Sequence, residues 1–379
     1  MKKTLLTICL VWMCFSLSAQ KIIDLSGKWS FSIDRQDNGE KEKWFSHTLN
    51  DFINLPGSMP EKLKGDEVTA KTQWTGSLYD SSYYYNPYME KYRKEGNIKF
   101  PFFLTPDKHY VGAAWYQKEV NIPADWKGER ILLFLERPHI ETTVWVNGQK
   151  TGMQNSLCVP HQYDITHYVR PGKCTITIRV DNRIKEINVG PDSHSITDQT
   201  QGNWNGIVGR ICLQTTPKTY FDDIQIYPEP EQKLARVKVV IKGTGTAKVK
   251  LSAESFNTDK KHIVPAIQQE IKLNKGVTET EMVLPMGNDM LLWDEFHPAL
   301  YKLKAEVTNG KKTEIKEIQF GMRRFEIKGK WFYVNGRKTQ LRGTVENCDF
   351  PLTGYAPMDV ESWERVFRIC PVSYTHLRA

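Results

Sequence analysis

Between Lys21 and about Pro217 the chain repeats one pattern: short runs alternating apolar and polar residues, separated by turn residues, with almost no helical period. Lys28-Trp29-Ser30-Phe31-Ser32-Ile33, Ala114-Trp115-Tyr116-Gln117-Lys118-Glu119-Val120 and Arg130-Ile131-Leu132-Leu133-Phe134-Leu135 read as strands. A period of two is what a strand with one buried face requires. Glu141 to Val146 runs into Asn147-Gly148, a strong hairpin signal because both turn positions take positive φ. Thr175 to Val180 alternates cleanly and predicts one apolar and one polar face. About 200 residues of such strands predict a β-sandwich of jelly-roll type. The stretch from Glu61 to Thr105 is less regular and reads as a long loop or insertion across one end of the sandwich. Its aromatic residues from Tyr83 to Tyr88 are expected to pack down, with a glycan-facing surface as the alternative.

Residues 218–321 hold a second set of alternating runs, including Ala235 to Lys242, Thr246 to Glu254, Thr278 to Leu284, Tyr301 to Val307 and Lys312 to Ile318. About seven short strands in roughly a hundred residues predict an immunoglobulin-like sandwich. After Met322 the pattern changes. Phe325-Glu326-Ile327 and Trp331-Phe332-Tyr333-Val334 flank one turn, Asn335-Gly336 makes another, and Thr339 to Thr344 reads as a further strand. Asp359 then caps an expected helix in which Val360, Trp363, Val366, Phe367 and Cys370 fall on one stripe,. Pro371 is expected to end that helix,. Residues 322–370 read as the first βα unit of a larger domain, and residues 371–379 as a tail foreign to the native gene.

The first nineteen residues have the layout of a secretory signal: Lys2-Lys3, a mostly apolar run from Leu5 to Leu17, and small residues ending at Ala19,. The mature chain is therefore expected to be exported, to the periplasm or the medium. No apolar stretch is long enough for a membrane span. Of seven Cys, five follow residue 19, in no metal-like spacing; Cys158 and Cys174 are either buried thiols or a disulfide. The net charge of +8 is spread along the chain, with no basic stripe of the kind nucleic-acid binding requires. The nine His are scattered singly and offer no metal or triad context,.

Taken in order, several segments resemble glycoside hydrolase family 2, which includes β-galactosidases, β-glucuronidases and β-mannosidases. Leu25-Ser26-Gly27-Lys28-Trp29-Ser30-Phe31 resembles the family's opening strand, and Ala114-Trp115-Tyr116-Gln117-Lys118 its A-W-Y-R-K segment. Val146-Asn147-Gly148, Tyr163-Asp164-Ile165-Thr166 and Pro171-Gly172-Lys173-Cys174-Thr175 follow in family order. Gly202 to Arg210 resembles the G-x-W-x-G-I-x-R signature, and Leu292-Trp293 with His297 to Tyr301 resembles the end of the middle sandwich. Gly321-Met322-Arg323, Val334-Asn335-Gly336 and Leu341-Arg342-Gly343 resemble the series that opens the family's barrel. The resemblance covers nearly the whole chain after the signal, to about Cys370.

The resemblance implies a jelly-roll domain (residues 20–217), an immunoglobulin-like domain (218–321) and a (β/α)8 barrel, begun at 322–370. It also implies retaining hydrolysis of β-glycosidic bonds in an oligo- or polysaccharide by two glutamates about 5 Å apart. A barrel takes about 250 residues, whereas only residues 323–379 follow Met322. Both glutamates are expected beyond residue 379, and no catalytic residue is assigned here. Arg342 ends the first barrel strand, where the family places an active-site arginine; a surface ion-pair partner is the alternative. That strand continues as Thr344-Val345-Glu346-Asn347, departing from the β-galactosidase wording R-G-V-N-R-H-E. Glu346 and Asn347 are substrate-contact candidates, with a structural Glu346–Arg342 pair as the alternative for Glu346. Asn203 and Trp204 lie on the loop the family turns toward the barrel, with Asp198 nearby as a sugar or ion ligand. Trp204 is expected to pack between domains. No cofactor is expected beyond a sodium or magnesium ion in the full-length enzyme, and a homo-oligomer is left open. The competing reading is a stand-alone carbohydrate-binding or adhesion protein built of two sandwiches.

Overall fold

The computed structural model describes residues 21–69, 71–75, 85–99, 105–157, 159–185, 202–341 and 350–376, with side chains as far as residue 369 in the last stretch. The chain is mainly β and divides into two compact units, residues 22–215 with 343–379, and residues 216–342.

In the first unit the alternating runs form two antiparallel sheets over one core. The six-stranded sheet runs, in order, Gln149–Asn155, Glu141–Val146, Gly172–Asp181, Ala113–Ile122, Gly27–Asp34, Asp51–Leu55. The second sheet runs Ile22–Asp24, Gly206–Thr216, Arg130–His139, His161–Asp164, with Gly57–Ser58 also paired to Gly206–Thr216. Trp29, Phe31, Tyr116, Leu133, Ile176 and Ile178 interdigitate between the sheets. The jelly-roll-type sandwich is therefore present. The expected hairpin at Asn147-Gly148 pairs Val146 with Gln149, and Asn147 takes φ 50°.

One expectation needs correcting. The polar face of Thr175 to Val180 is not solvated. Thr177 and Arg179 pair in register with Trp145 and Trp115, and those indoles pack with Leu49, Trp44 and Phe45. The chain between strands Gly27–Asp34 and Asp51–Leu55 folds over this face, so alternation here separates two buried layers. Cys174 sits in the inner layer as a buried free thiol, where burial pushes it up to about 11; Cys158 lies outside the described residues.

In the second unit the expected strands Ala235 to Lys242 and Thr246 to Glu254 are one strand, Leu234–Phe256. Residues 234–243 pair with Tyr220–Glu229 and residues 276–285, while residues 245–256 pair with residues 263–273 and Leu300–Asn309. The register shifts between Gly243 and Gly245, so the chain bends there but never turns back. Lys312–Phe320 closes the sheet on Leu300–Asn309. Phe221, Val237, Val249, Leu251, Tyr301 and Leu303 share one core. Met322 is buried with them, and Trp293 N donates to its carbonyl (3.0 Å). Phe325–Lys328, Trp331–Val334 and Arg337–Thr339 then form a three-stranded antiparallel sheet. The strand expected from Thr339 to Thr344 is not seen in its described part: Thr339 ends strand Arg337–Thr339, Gln340 and Leu341 are not strand, and residues 342–349 lie outside the described residues.

The helix after Asp359 spans Val360–His376 and passes through Pro371 instead of stopping before it. Proline removes one backbone bond, to the carbonyl four residues earlier, while the turns on either side continue. Asp359 caps as expected: Oδ1 accepts from Ser362 N (2.7 Å) and Oδ2 from Ser362 Oγ (3.0 Å). The predicted stripe is only partly covered. Trp363 and Val366 are half-buried, while Val360 and Phe367 face outward. No helix among the described residues is long and apolar enough to cross a membrane.

Candidate functional site

The loop entering strand Gly206–Thr216 is built around amides. Asn205 Nδ2 donates to the carbonyls of Gly112 and Val180 (3.0 Å each), and its Oδ1 accepts from Tyr116 Oη (2.8 Å). Asn182, one residue past the Gly172–Asp181 strand, has the same double role: Nδ2 donates to Tyr110 O (2.8 Å) and Oδ1 accepts from Gly112 N (2.8 Å). Asn203 Nδ2 donates to Asn182 O (3.0 Å) and Thr75 Oγ1 (2.9 Å). An amide carries donors and an acceptor in one plane, so three asparagines can satisfy strand ends that no ladder reaches. Gly206 is fixed by close approach: at φ +151°, a Cβ there would lie 2.4 Å from Gly57 O. Burial pushes the Tyr116 phenol up, so it stays a donor.

Trp204 is 5% exposed. Its ring stacks on His139 (4.6 Å, 25°), and His139 Nδ1 lies 2.8 Å from Trp204 O. The other flank meets residues 350–355. Tyr355 stands 5.5 Å from the indole, and Gly354, at φ +81°, leaves no room for a Cβ, which would sit 2.7 Å from Trp204 Cβ. Tyr355 Oη donates to Glu61 Oε2 (2.8 Å), and Ser58 Oγ donates to Thr353 O. Burial and this carboxylate acceptor push the Tyr355 phenol up. Burial alone would raise Glu61, but bonds from Lys62 and Tyr355 outweigh it and lower the carboxyl. The sandwich thus holds a preformed seat for the turn preceding the Val360–His376 helix. Gly354→Ala is expected to loosen that turn by about 1–3 kcal/mol, the scale of forced overpacking, while the sandwich stays intact. Hydrogen exchange at the Thr353 and Gly354 amides, bonded to Phe350 O at 3.2 and 2.6 Å, would show it; unchanged protection would contradict it.

Beside the asparagines lies an ion network with a buried centre, Asp181, Arg179 and Glu141, and an exposed edge, Asp37, Arg183 and Lys185. Asp181 accepts from Arg179 (2.9 Å), Arg183 (2.6 Å) and Lys185 (2.8 Å); Asp37 takes Arg179 (2.6 Å) and Arg183 (2.5 Å); Glu141 takes Arg179 (3.3 Å) and Lys185 (2.9 Å). Burial would raise the Asp181 carboxyl, yet the bonds from Arg183 and Lys185 and the charge of Arg179 hold it well below the usual carboxylate range. Every carboxylate here is matched by cations, so the cluster braces the strand end and offers no general acid or base. A groove of about 670 Å³ lies between Arg137 and the cap Asp359 with the helix residues Trp363, Glu364, Phe367 and Arg368. Both its carboxylates are engaged, Asp359 as the cap and Glu364 with Arg368 (2.5 Å).

Of the residues expected to meet substrate, Asn203 and Trp204 are placed, both buried among protein groups. Asp198, Arg342, Glu346 and Asn347 lie outside the described residues. No group of three His, Cys, Asp or Glu able to hold a metal occurs among the described residues. The sequence reading missed Glu61, His139, Gly354 and Tyr355, whose partners are far away in the chain. It also missed the ion network, although Arg179, Asp181, Arg183 and Lys185 recur every second residue, a legible one-face signal.

The family model described as glycosyl hydrolases family 2, sugar binding domain, matches residues 22–217, and the one described as glycosyl hydrolases family 2 matches residues 219–323. A β-glucuronidase of Paenibacillus borealis is 23% identical over 355 residues, covering 88% of this chain and 51% of that protein. A β-galactosidase large subunit of Latilactobacillus sakei is 23% identical, covering 90% and 52%. A putative β-glucuronidase of Formosa agariphila is 29% identical, covering 68% and 31%. Among solved structures, a β-glucuronidase from an uncultured Clostridium aligns with TM-score 0.57 at 21% identity, covering 85% of this chain and 48% of that one. The Ruminococcus gnavus β-glucuronidase in complex with D-glucuronic acid aligns at 0.58 with 19% identity, covering 86% and 50%. The chain spans about half the length of the first two relatives.

Proposed function

This chain belongs to glycosyl hydrolase family 2, and from that premise we propose that it is the non-catalytic, N-terminal part of an exported retaining β-glycosidase. The parent enzyme acts on a terminal β-galactoside or β-glucuronide of an oligo- or polysaccharide. The observation that carries this reading is one of extent: the family matches run from residue 22 to residue 323, yet the alignments cover only 51% and 52% of the first two relatives. The two catalytic glutamates then belong to the part of the protein this chain lacks. There, one protonates the leaving oxygen and the other attacks the anomeric carbon. On this reading Arg342, Glu346 and Asn347 are this chain's candidates for contact with the sugar, as the family resemblance of Leu341-Arg342-Gly343 implies. Export rests on Lys2-Lys3, the apolar run to Leu17 and the small residues before Gln20,.

The test compares the full-length gene product with this 379-residue chain on 4-nitrophenyl β-D-glucuronide and β-D-galactoside. The full-length protein is expected to hydrolyse one of them with retention at the anomeric carbon, and to begin at Gln20 when recovered outside the cytoplasm. The 379-residue chain should show no turnover. Turnover by the short chain, or none by the long one, would overturn the reading.

A further inference from the structure

The aromatic stretch within the long insertion does not pack down where it is described. Residues 85–99 hold themselves together. Pro87–Tyr92 is a 3-10 helix whose first turn is capped by Asn86, Oδ1 accepting from Tyr88 N (3.0 Å). Asn97 Nδ2 donates to Lys91 O (2.7 Å), Lys99 N donates to Tyr92 O (3.1 Å), and Ile98 is buried as the anchor. None of these contacts uses the rings of Tyr85 and Tyr88, which are 72% and 83% exposed.

Residues three apart eclipse in a 3-10 helix, so Lys91 shares a face with Tyr88. Its ammonium stands 4.8 Å from the Tyr92 ring centroid, while the adjacent Glu90 pairs with Lys94 (3.5 Å). A tyrosine ring offers an apolar face and a polar tip, the two surfaces a pyranose presents through its C–H face and its hydroxyls. Lys91, on the same helix face as Tyr88, supplies an ammonium that suits a sugar carrying a carboxylate. The fringe of Glu90, Lys91, Lys94 and Glu95 is exposed and charged. Lys91, on the face of Tyr88 itself, is of a type depleted at the centre of protein–protein interfaces, which favours a hydrated ligand there.

We propose that Tyr85, Tyr88 and Lys91 form a surface site for a uronate-bearing glycan chain, the pyranose face lying on Tyr88 and the carboxylate on Lys91. This rests on the carbohydrate reading above. The test is affinity electrophoresis of this chain through gels containing glucuronoxylan or an uncharged arabinoxylan. Tyr88→Ala is expected to weaken retardation about fivefold in both gels, the scale of one aromatic stacking contact. Lys91→Ala should weaken it only in glucuronoxylan, and Lys91→Arg should restore it. Because both side chains are solvent-facing, thermal midpoints should stay unchanged. Wild-type protein that neither gel retards, or variants retarded like wild type, would overturn the site. Concentration-dependent self-association that Tyr88→Ala abolishes would also overturn it, by assigning the patch to a second copy of the chain. Glycoside hydrolysis by the full-length protein is scored separately. Hydrolysis without retardation sinks this site alone, and retardation without hydrolysis sinks the enzyme reading alone.

Discussion

Asn205→Asp should cost the first sandwich about 4 kcal/mol or more, although the two side chains have the same shape. Asn205 is 1% exposed, and its Nδ2 donates to Gly112 O and Val180 O. The substitution removes both donors and sets an acceptor against two carbonyls. Each orphaned buried acceptor costs about 1–3 kcal/mol, and a buried carboxylate adds its own desolvation. The bond from Tyr116 Oη survives and offsets little of this. Urea unfolding followed by tryptophan fluorescence would measure the loss, and a variant within about 1 kcal/mol of wild type would refute the bonding described. The position matters because the same loop carries Trp204, so a sandwich that fails at Asn205 also loses the seat for residues 350–355.

The second large effect is at Asp181. Asp181→Asn leaves Arg179, Arg183 and Lys185 facing only Asp37 and Glu141, and breaking a buried pair in this way costs about 3 kcal/mol. In a domain of this size that is a fall of roughly 6–12 °C in Tm. The pH dependence follows from the sign of the shift. The carboxyl is depressed in the folded state, so its stabilisation is fully present above the unfolded value, about pH 4. It is lost as pH falls from there toward the lower folded value. The gap between wild type and Asp181→Asn should therefore narrow progressively from about pH 4 toward about pH 2. Midpoints measured across that range would test it, and a constant gap would show that Asp181 is not held by these cations.

Much of the fold was legible because its signals are local. Period-two runs with a turn dipeptide, as at Glu141 to Gly148, need only neighbours to specify a strand and its reversal. Asp359 as a helix cap was equally readable, since the cap and its acceptor bond span three residues,. Reading failed where one local rule met a longer-range competitor. The glycines at 243 and 245 bend a strand that its partner keeps paired. The polar face of Thr175 to Val180 found a second buried layer in place of water.

What the amino-acid sequence determined by itself was the class of the protein: two β units, in a fixed order of family-like segments, with an amphipathic helix after them. These follow from periodicity and from motifs read along the chain. Only the tertiary structure decided what the individual residues do. Asn203 and Trp204, candidates for sugar contact by their motif, are engaged by Asn182 and Thr75 and by His139 and Tyr355. Glu61 meets Tyr355 across an interval of 294 residues, and Tyr85 and Tyr88, expected to pack down, face solvent. The physical reason is the same in each case. Burial and hydrogen-bond partners depend on which distant segment covers a side chain, and that is set by how the sheets and loops assemble.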